Sequence, residues 1–406
     1  MKALYYLLPL LAIAVVSCTG GKDSSDAVSQ IVEIDIQKDY PKKKLLLDEI
    51  ADIEYIPLET TDSVLLGDPR LLDFAFSENS DKVVLADEKE GRIFFFNKKG
   101  KFLHSFSHHG FGNNEYLQLR AMSVDFANEE VFIYDYPLRR RMMVYSFDGE
   151  LKRELKLDGL ERRLENFYPY DETHLVGYDT YDKKYKDPSG DSFNRYPYFL
   201  IDKQSGLITS LPLEVNERIT NKISWEYVSS PDSIFYIMYP VPVCNWMKAD
   251  KGIYVSDFAL DTIYHCIGDK FIPKAVRTNN PDKSRNFSAL CFESNRYSFF
   301  DLKGVRIDDA KKRVVPEVSK KLVFDKQDGK VYDAFVTLKD FSERINVPIG
   351  GHAEKYKPEG YYIDFYTVDL LNFYLEKGWL KGKIKEVTEN IEEDANPVMI
   401  IIKFKD

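Results

Sequence analysis

The 406-residue sequence predicts an all-β ring, a six-bladed β-propeller, closed by pairing of its N- and C-terminal strands and carrying a small helical insertion in the last blade. Three observations predict it. Short β-rich segments bounded by turn residues recur at a spacing of about 45–50 residues, the period of four-stranded blades. Aromatic residues make up 14% of the chain, with 27 Tyr and 27 Phe, which suits pleated strands better than helices. An isolated apolar segment near residue 53 and a strongly apolar one at the C-terminus each lack a neighbour, and an unpaired strand edge is an aggregation liability.

The chain opens with a targeting pattern. Lys2 supplies a positive start, Ala3 to Val16 is apolar but short for a bilayer span, and Val15-Val16-Ser17-Cys18 follows. Small residues before a Cys resemble a bacterial lipobox. The expectation is a signal peptide over 1–17, a lipidated Cys18, and a flexible tether over 18–44 rich in Ser, Asp, Lys and Gly. The propeller is expected over 45–406. Acyl chains on Cys18 would hold the protein on a membrane of the cell envelope, at the periplasmic or the outer surface.

The strands follow in order. "IEYIPLET" (53–60) stands alone. "KVVLAD" (82–87), "RIFFFN" (92–97) and "KFLHSFS" (101–107) make a first unit; "AMSVDF" (121–126), "EVFIYD" (130–135), "MMVYSF" (142–147) and "ELKREL" (150–155) make a second. Asp87 and Asp135 lie 48 residues apart, Gly100 and Gly149 lie 49 apart. More diverged units follow around 173–213, 252–276, 295–336 and 360–404. The segment 53–60 is expected to complete the sixth blade beside "VMIIIKF". Between the last two strands, Ile384, Val387 and Ile391 recur at helical spacing within 369–394, with a stop near Asn396-Pro397.

With those features assembled, the chain resembles the six-bladed β-propeller lipoproteins common in Bacteroidetes, distant relatives of NHL-type and TolB-like propellers. The carrying motifs are the lipobox, "IEYIPLETT" followed by Leu66-Gly67, "GKFLHSFSHHGFGNNEY", "VFIYD" with "YSFDGEL", "LDTIY" and "NPVMIIIKF". In that family the glycine segment usually reads G-x-G-P-x-E-Y, and here Asn113 stands in place of the Pro. The resemblance implies a fold and little chemistry.

The stretch "HHGFGNNEYLQL" (108–119) admits three readings. A phosphate cradle requires a helix after the glycines, and the following sequence is β-rich. A metal site using His104, His108 and His109 is strained, because residues four apart on a strand sit about 13 Å apart. A turn is favoured: Gly110, Gly112, Asn113 and Asn114 tolerate positive φ, and Tyr116 is suited to packing between blades with its hydroxyl bonded. It would link the outer strand of one blade to the inner strand of the next. The three cysteines after Cys18 (Cys244, Cys266 and Cys291) allow one disulfide or three buried thiols.

A formal charge of -10 argues against a nucleic-acid role. No nucleophile elbow, zinc-protease motif or P-loop is present. Asp87, Asp135 and Asp257 recur at second-strand ends, which points to turn N–H acceptance rather than catalysis. Loops expected on one face (108–119, 136–142 with Arg139 to Arg141, 179–197, and 369–394) make that face the place for a ligand. The expected contacts are Asn113, Asn114, Tyr116, Arg139, Arg140 and Arg195. The leading expectation is a non-enzymatic binding or scaffold protein for a glycan or peptide, or a partner of an uptake system in the outer membrane, with no cofactor and no metal ligand assigned. The alternative is a metal-dependent hydrolase, lactonase- or esterase-like, with calcium held at the propeller axis.

Overall fold

A computed structural model describes residues 31–67, 72–135, 141–157, 164–179, 195–219, 222–230, 233–308, 310, 313–342, 344–350 and 357–405. The folded unit runs from Ile31. Its first residues are strand: β1 (Val32–Asp35) and β2 (Lys42–Leu46) precede a short helix α1 (Leu47–Ile50) and β3 (Ala51–Pro57). The tether expected through residue 44 is therefore corrected over its last part. Val32, Ile34 and Ile36 alternate with Glu33 and Asp35, a period of two that buries one face.

Six blades form a ring. The first holds β4 (Leu72–Phe76), β5 (Lys82–Asp87), β6 (Arg92–Asn97) and β7 (Phe102–Phe106). The second holds β8 (Leu119–Asp125), β9 (Glu130–Asp135), β10 (Arg141–Ser146) and β11 (Leu151–Lys156). The third holds β12 (Leu164–Pro169), β13 (His174–Asp179), β14 (Tyr198–Asp202) and β15 (Ile208–Ser210). A two-stranded ribbon, β16 (Lys222–Ser230) and β17 (Ser233–Pro240), then precedes the fourth blade.

That blade is β18 (Trp246–Lys248), β19 (Ile253–Val255), β20 (Thr262–Ile267) and β21 (Lys270–Thr278). The fifth is β22 (Asn286–Glu293), β23 (Tyr297–Asp308), β24 (Arg313–Asp325) and β25 (Lys330–Thr337). The sixth combines β26 (Tyr361–Tyr366), β27 (Val398–Phe404) and β3, with α2 (Val368–Glu376) and α3 (Gly382–Glu389) inserted between β26 and β27. The expected insertion is thus two helices. Ile384 is its buried anchor on α3, and Gly378 and Gly382 take positive φ around the turn.

Closure is as the sequence predicts. β3 runs antiparallel to β27, from Ala51 opposite Phe404 to Pro57 opposite Val398. The strap formed by β1 and β2 adds parallel strands to the outer edges of the fourth and fifth blades, on β21 and β25. It covers two edges that would otherwise invite pairing.

The core lies between consecutive blades. Phe74, Val83 and Phe94 pack on Ile363, Met399 and Ile401 across the closure, and Val84, Phe95 and Ile93 pack on Val124, Ile133 and Tyr145 at the next interface. Each such fully buried side chain contributes about 1.5–3 kcal/mol. Cys244, Cys266 and Cys291 are free thiols. Among the described residues no helix is long and apolar enough to cross a membrane.

Candidate functional site

The glycine–histidine stretch links β7 to β8, and its geometry is that of a hinge. Gly110 donates to the Tyr116 carbonyl at 3.1 Å and Tyr116 N–H donates to the His108 carbonyl at 2.9 Å. Glu115 reaches back to accept from Gly112 N–H at 2.7 Å. The three histidines diverge. His104 bonds the Phe147 carbonyl, His108 the Gly149 carbonyl and His109 the Leu117 carbonyl. His104 stacks on Phe95 and His108 on Tyr145.

Tyr116 is 0% exposed and donates to the Gly91 carbonyl at 2.7 Å, so its expected part as a ligand contact is corrected to a positioning one. A phenol sealed between blades has no face left for a ligand. Asn113 and Asn114 are exposed, but their carbonyls are occupied by Arg141 and the Tyr145 hydroxyl. Arg195 is exposed and pairs with Glu214 at 3.3 Å. Arg139 and Arg140 lie outside the described residues. Arg141, third of that run, is buried and ties Asp135 to the hinge through the Asn113 and Glu115 carbonyls.

The recurring aspartates do the backbone work expected of them. Asp87 accepts from Lys89, Glu90 and Gly67 N–H, Asp135 from Leu117 N–H, and Asp257 from Ala259 N–H. Each accepts from turn or inter-blade N–H groups at its blade's loop end. Burial raises the Asp257 carboxyl above its ordinary range, although Ala259 N–H and Arg218 oppose it. Among the described residues no three His, Cys, Asp or Glu side chains are grouped to hold a metal ion.

The structure places a cavity elsewhere, in the fifth blade. β24 pairs with β23 along its whole length, but with β25 only from Leu322 to Asp325. Beyond that point β25 runs on with β2, from Asp333 to Thr337. The two strands part like a fork. A bulge between Gly304 and Val305 bends the long β23–β24 pair, as an extra residue on one strand does. In the fork, Asn346 from the following connection accepts from Val336 N–H at 2.9 Å.

The fork borders a half-open cavity of about 610 Å³, within the usual size range for a ligand pocket. One wall is Asp301 and Lys303 of β23 with Ser319, Lys320 and Lys321 of β24; the other is Asp333, Ala334 and Phe335 of β25. Pro240 to Cys244 and the segment around Pro348 complete it. Phe335 is 38% exposed, so an aromatic face is offered.

Lys321 pairs with Asp301 at 2.6 Å and reaches the Cys291 sulfur at 3.5 Å. Burial opposes the Lys321 charge, but the Cys291 sulfur and the Asp301 carboxylate outweigh it and hold its pKa above the ordinary lysine value. Burial pushes the Cys291 thiol up to about 12, so it stays protonated. Lys303 donates to the Ser319 hydroxyl at 2.6 Å. Lys320 pairs with Asp39 of the strap at 2.9 Å, and Asp39 is 99% exposed, so water screens that pair. The cavity therefore offers an apolar and aromatic wall, one fixed ion pair, and two lysines able to exchange partners.

None of the four expected ligand residues that the structure describes, Asn113, Asn114, Tyr116 and Arg195, lines this cavity. Its residues come from five short segments scattered between Pro240 and Gly350. Asp301 and Lys321 face each other across β23 and β24, but both strands carry other charges, so nothing local in the sequence marks the pair.

Among solved structures, a candidate exported protein from Bacteroides fragilis is similar at 14% identity and a TM-score of 0.58, covering 93% of this chain and 100% of that one. A DUF4221-family protein from Bacteroides vulgatus aligns at 10% identity and a TM-score of 0.40, covering 88% and 97%. Virginiamycin B lyase from Staphylococcus aureus aligns at 10% identity and a TM-score of 0.32, covering 69% and 98%. No curated protein matches the sequence. Residues 31–403 match the family described as Domain of unknown function (DUF4934), and the chain belongs to that family.

Proposed function

We propose that this protein is an extracytoplasmic, lipid-anchored binding propeller whose ligand, a glycan or peptide, occupies the cavity of the fifth blade. The carrying observation is the cavity itself: about 610 Å³, bordered by Phe335 and prolines, by Lys303, Lys320 and Lys321, and by Asp301 and Asp333. Apolar surface supplies affinity there, and a few placed polar groups supply orientation. The similarity to a candidate exported protein and the signal-like start of the chain both support placement outside the cytoplasm. Cys18 would carry the lipid.

The test is a thermal-shift screen of the purified protein against acidic and neutral oligosaccharides and short peptides, repeated on Ser319→Trp. Ser319 is exposed at the cavity wall, so the indole blocks the space without entering the core. Binders whose stabilisation disappears in Ser319→Trp place the ligand in the cavity. Binders untouched by Ser319→Trp but weakened by Arg195→Ala would move the site to the hinge-bearing loops and overturn the assignment.

A further inference from the structure

We propose that the fork accepts an extended peptide of alternating acidic and apolar residues, added as a strand along the open edge of β24 from Glu317 to Lys321. This rests on the reading of the cavity as the binding site and names its ligand. Above Leu322 the only strand paired with β24 among the described residues is β23. Among those residues, no backbone–backbone bond outside the β23 ladder involves Glu317 to Lys321. An open edge carries N–H and C=O groups pointing outward, and an incoming extended chain satisfies them.

The edge has defined limits. Pro316 lacks a donor and ends it on one side, as proline does on edge strands. The junction with β25 at Leu322 ends it on the other. Five residues span about 17 Å, room for a strand of similar length.

Side chains of an added strand alternate between faces. On one face they meet Ser319 and Lys303, where a lysine donates to a neutral hydroxyl and would gain charge by meeting a carboxylate. On the other they meet Lys320 and Phe335, an aromatic surface beside an ammonium held by a solvent-screened partner. Asp301 and Asp333 share the lining, with Lys321 paired to Asp301 and Lys320 to Asp39, so the acidic side chains of the partner are placed at Lys303, which donates to a neutral hydroxyl, and at the solvent-screened Lys320.

The experiment uses the full purified chain and arrayed linear hexapeptides alternating Glu with Val, in both registers, beside Gln-for-Glu copies and trigalacturonate. The best Glu peptide is then made with N-methyl groups on alternate residues, in two registers. Strand addition predicts that one N-methyl register raises Kd at least tenfold and the other leaves it unchanged. It also predicts slowed amide exchange at Glu317 to Lys321, and a tenfold loss in Lys303→Glu with an unchanged melting midpoint. Equal binding of both N-methyl registers, or unaltered exchange along β24, overturns it. Trigalacturonate binding lost in Ser319→Trp, with no peptide bound, would leave the cavity as a site and refute the strand. No probe bound at the cavity would refute both.

Discussion

Asn396 is the pin of the ring closure, and its removal has a calculable cost. It is 2% exposed, just before β27. Its Nδ2 donates to the Glu59 and Val64 carbonyls, both at 2.8 Å, and its Oδ1 accepts from Leu66 N–H at 2.7 Å. Those three bonds hold the chain leaving β3 as it crosses to the first blade. Asn396→Ala removes all three and leaves two carbonyls and one N–H to find water. At about 1 kcal/mol net per bond the loss is about 3 kcal/mol, and more where the groups stay dry. Unfolding entropy of about 2.1 cal/mol/K per residue gives about 0.8 kcal/mol/K for a body of roughly 370 residues. The melting midpoint should therefore fall about 4 °C, read by calorimetry, with a matching drop in the urea midpoint. Asn396→Asp keeps the acceptor but turns an oxygen toward two carbonyls. It should be at least as harmful at neutral pH and recover as the pH falls and the carboxyl protonates. A midpoint within 1 °C of wild type for Asn396→Ala would refute the claim that this side chain fastens the closure.

Three further outcomes follow from other parts of the fold. Burial would raise the Asp325 carboxyl, but hydrogen bonds from Arg296 and Lys43 bring it down to about 2. A folded pKa below the unfolded 3.8 gives stability that is full above about pH 4 and lost as pH falls through about 2, worth at most about 2 kcal/mol because the cations are partly solvated. Asp325→Asn should flatten that part of the acid-unfolding curve; an unchanged curve refutes it. Burial also pushes the Cys266 and Cys291 thiols up to about 12, so neither should react with a thiol reagent at pH 8 until denaturant is added, and labelling of either in the native protein contradicts the packing. Gly100 takes φ +80, and an added Cβ would strike the Pro57 carbonyl oxygen, so Gly100→Ala should cost at least about 2 kcal/mol in urea unfolding, whereas a neutral result would mean the closure yields there.

Legibility along the chain tracked how local the cause was. The expected strand over 82–87 coincides with β5, and 130–135 with β9, because clean apolar runs between turn residues leave one solution. β1 and β2 were hidden inside a charged, linker-like stretch. Lys42 to Lys44 read as solvated residues, yet Lys43 pairs with Asp325, nearly three hundred residues later, and lies over the Tyr332 ring. β23 and β24 are far longer than the short strands expected, since Lys303, Arg306 and Glu317 break the apolar pattern where the pair runs on and buries only the Val305 and Val314 side chains against Ile223, Val241 and Phe287. The hinge is legible in the sequence, because glycine, asparagine and a following aromatic act within a dozen residues.

By itself the sequence determined the ring. A repeat of four short strands, an apolar last strand and a lone first one admit few closed arrangements, since each edge must be paired or protected. Only the tertiary structure decided where a ligand could sit. The cavity arises because β25 leaves β24 for β2 at Leu322, and because a bulge at Gly304 bends the long pair away. Strand partnership is a choice between edges distant in sequence, settled by packing of the whole ring. No local pattern of charges or glycines encodes it.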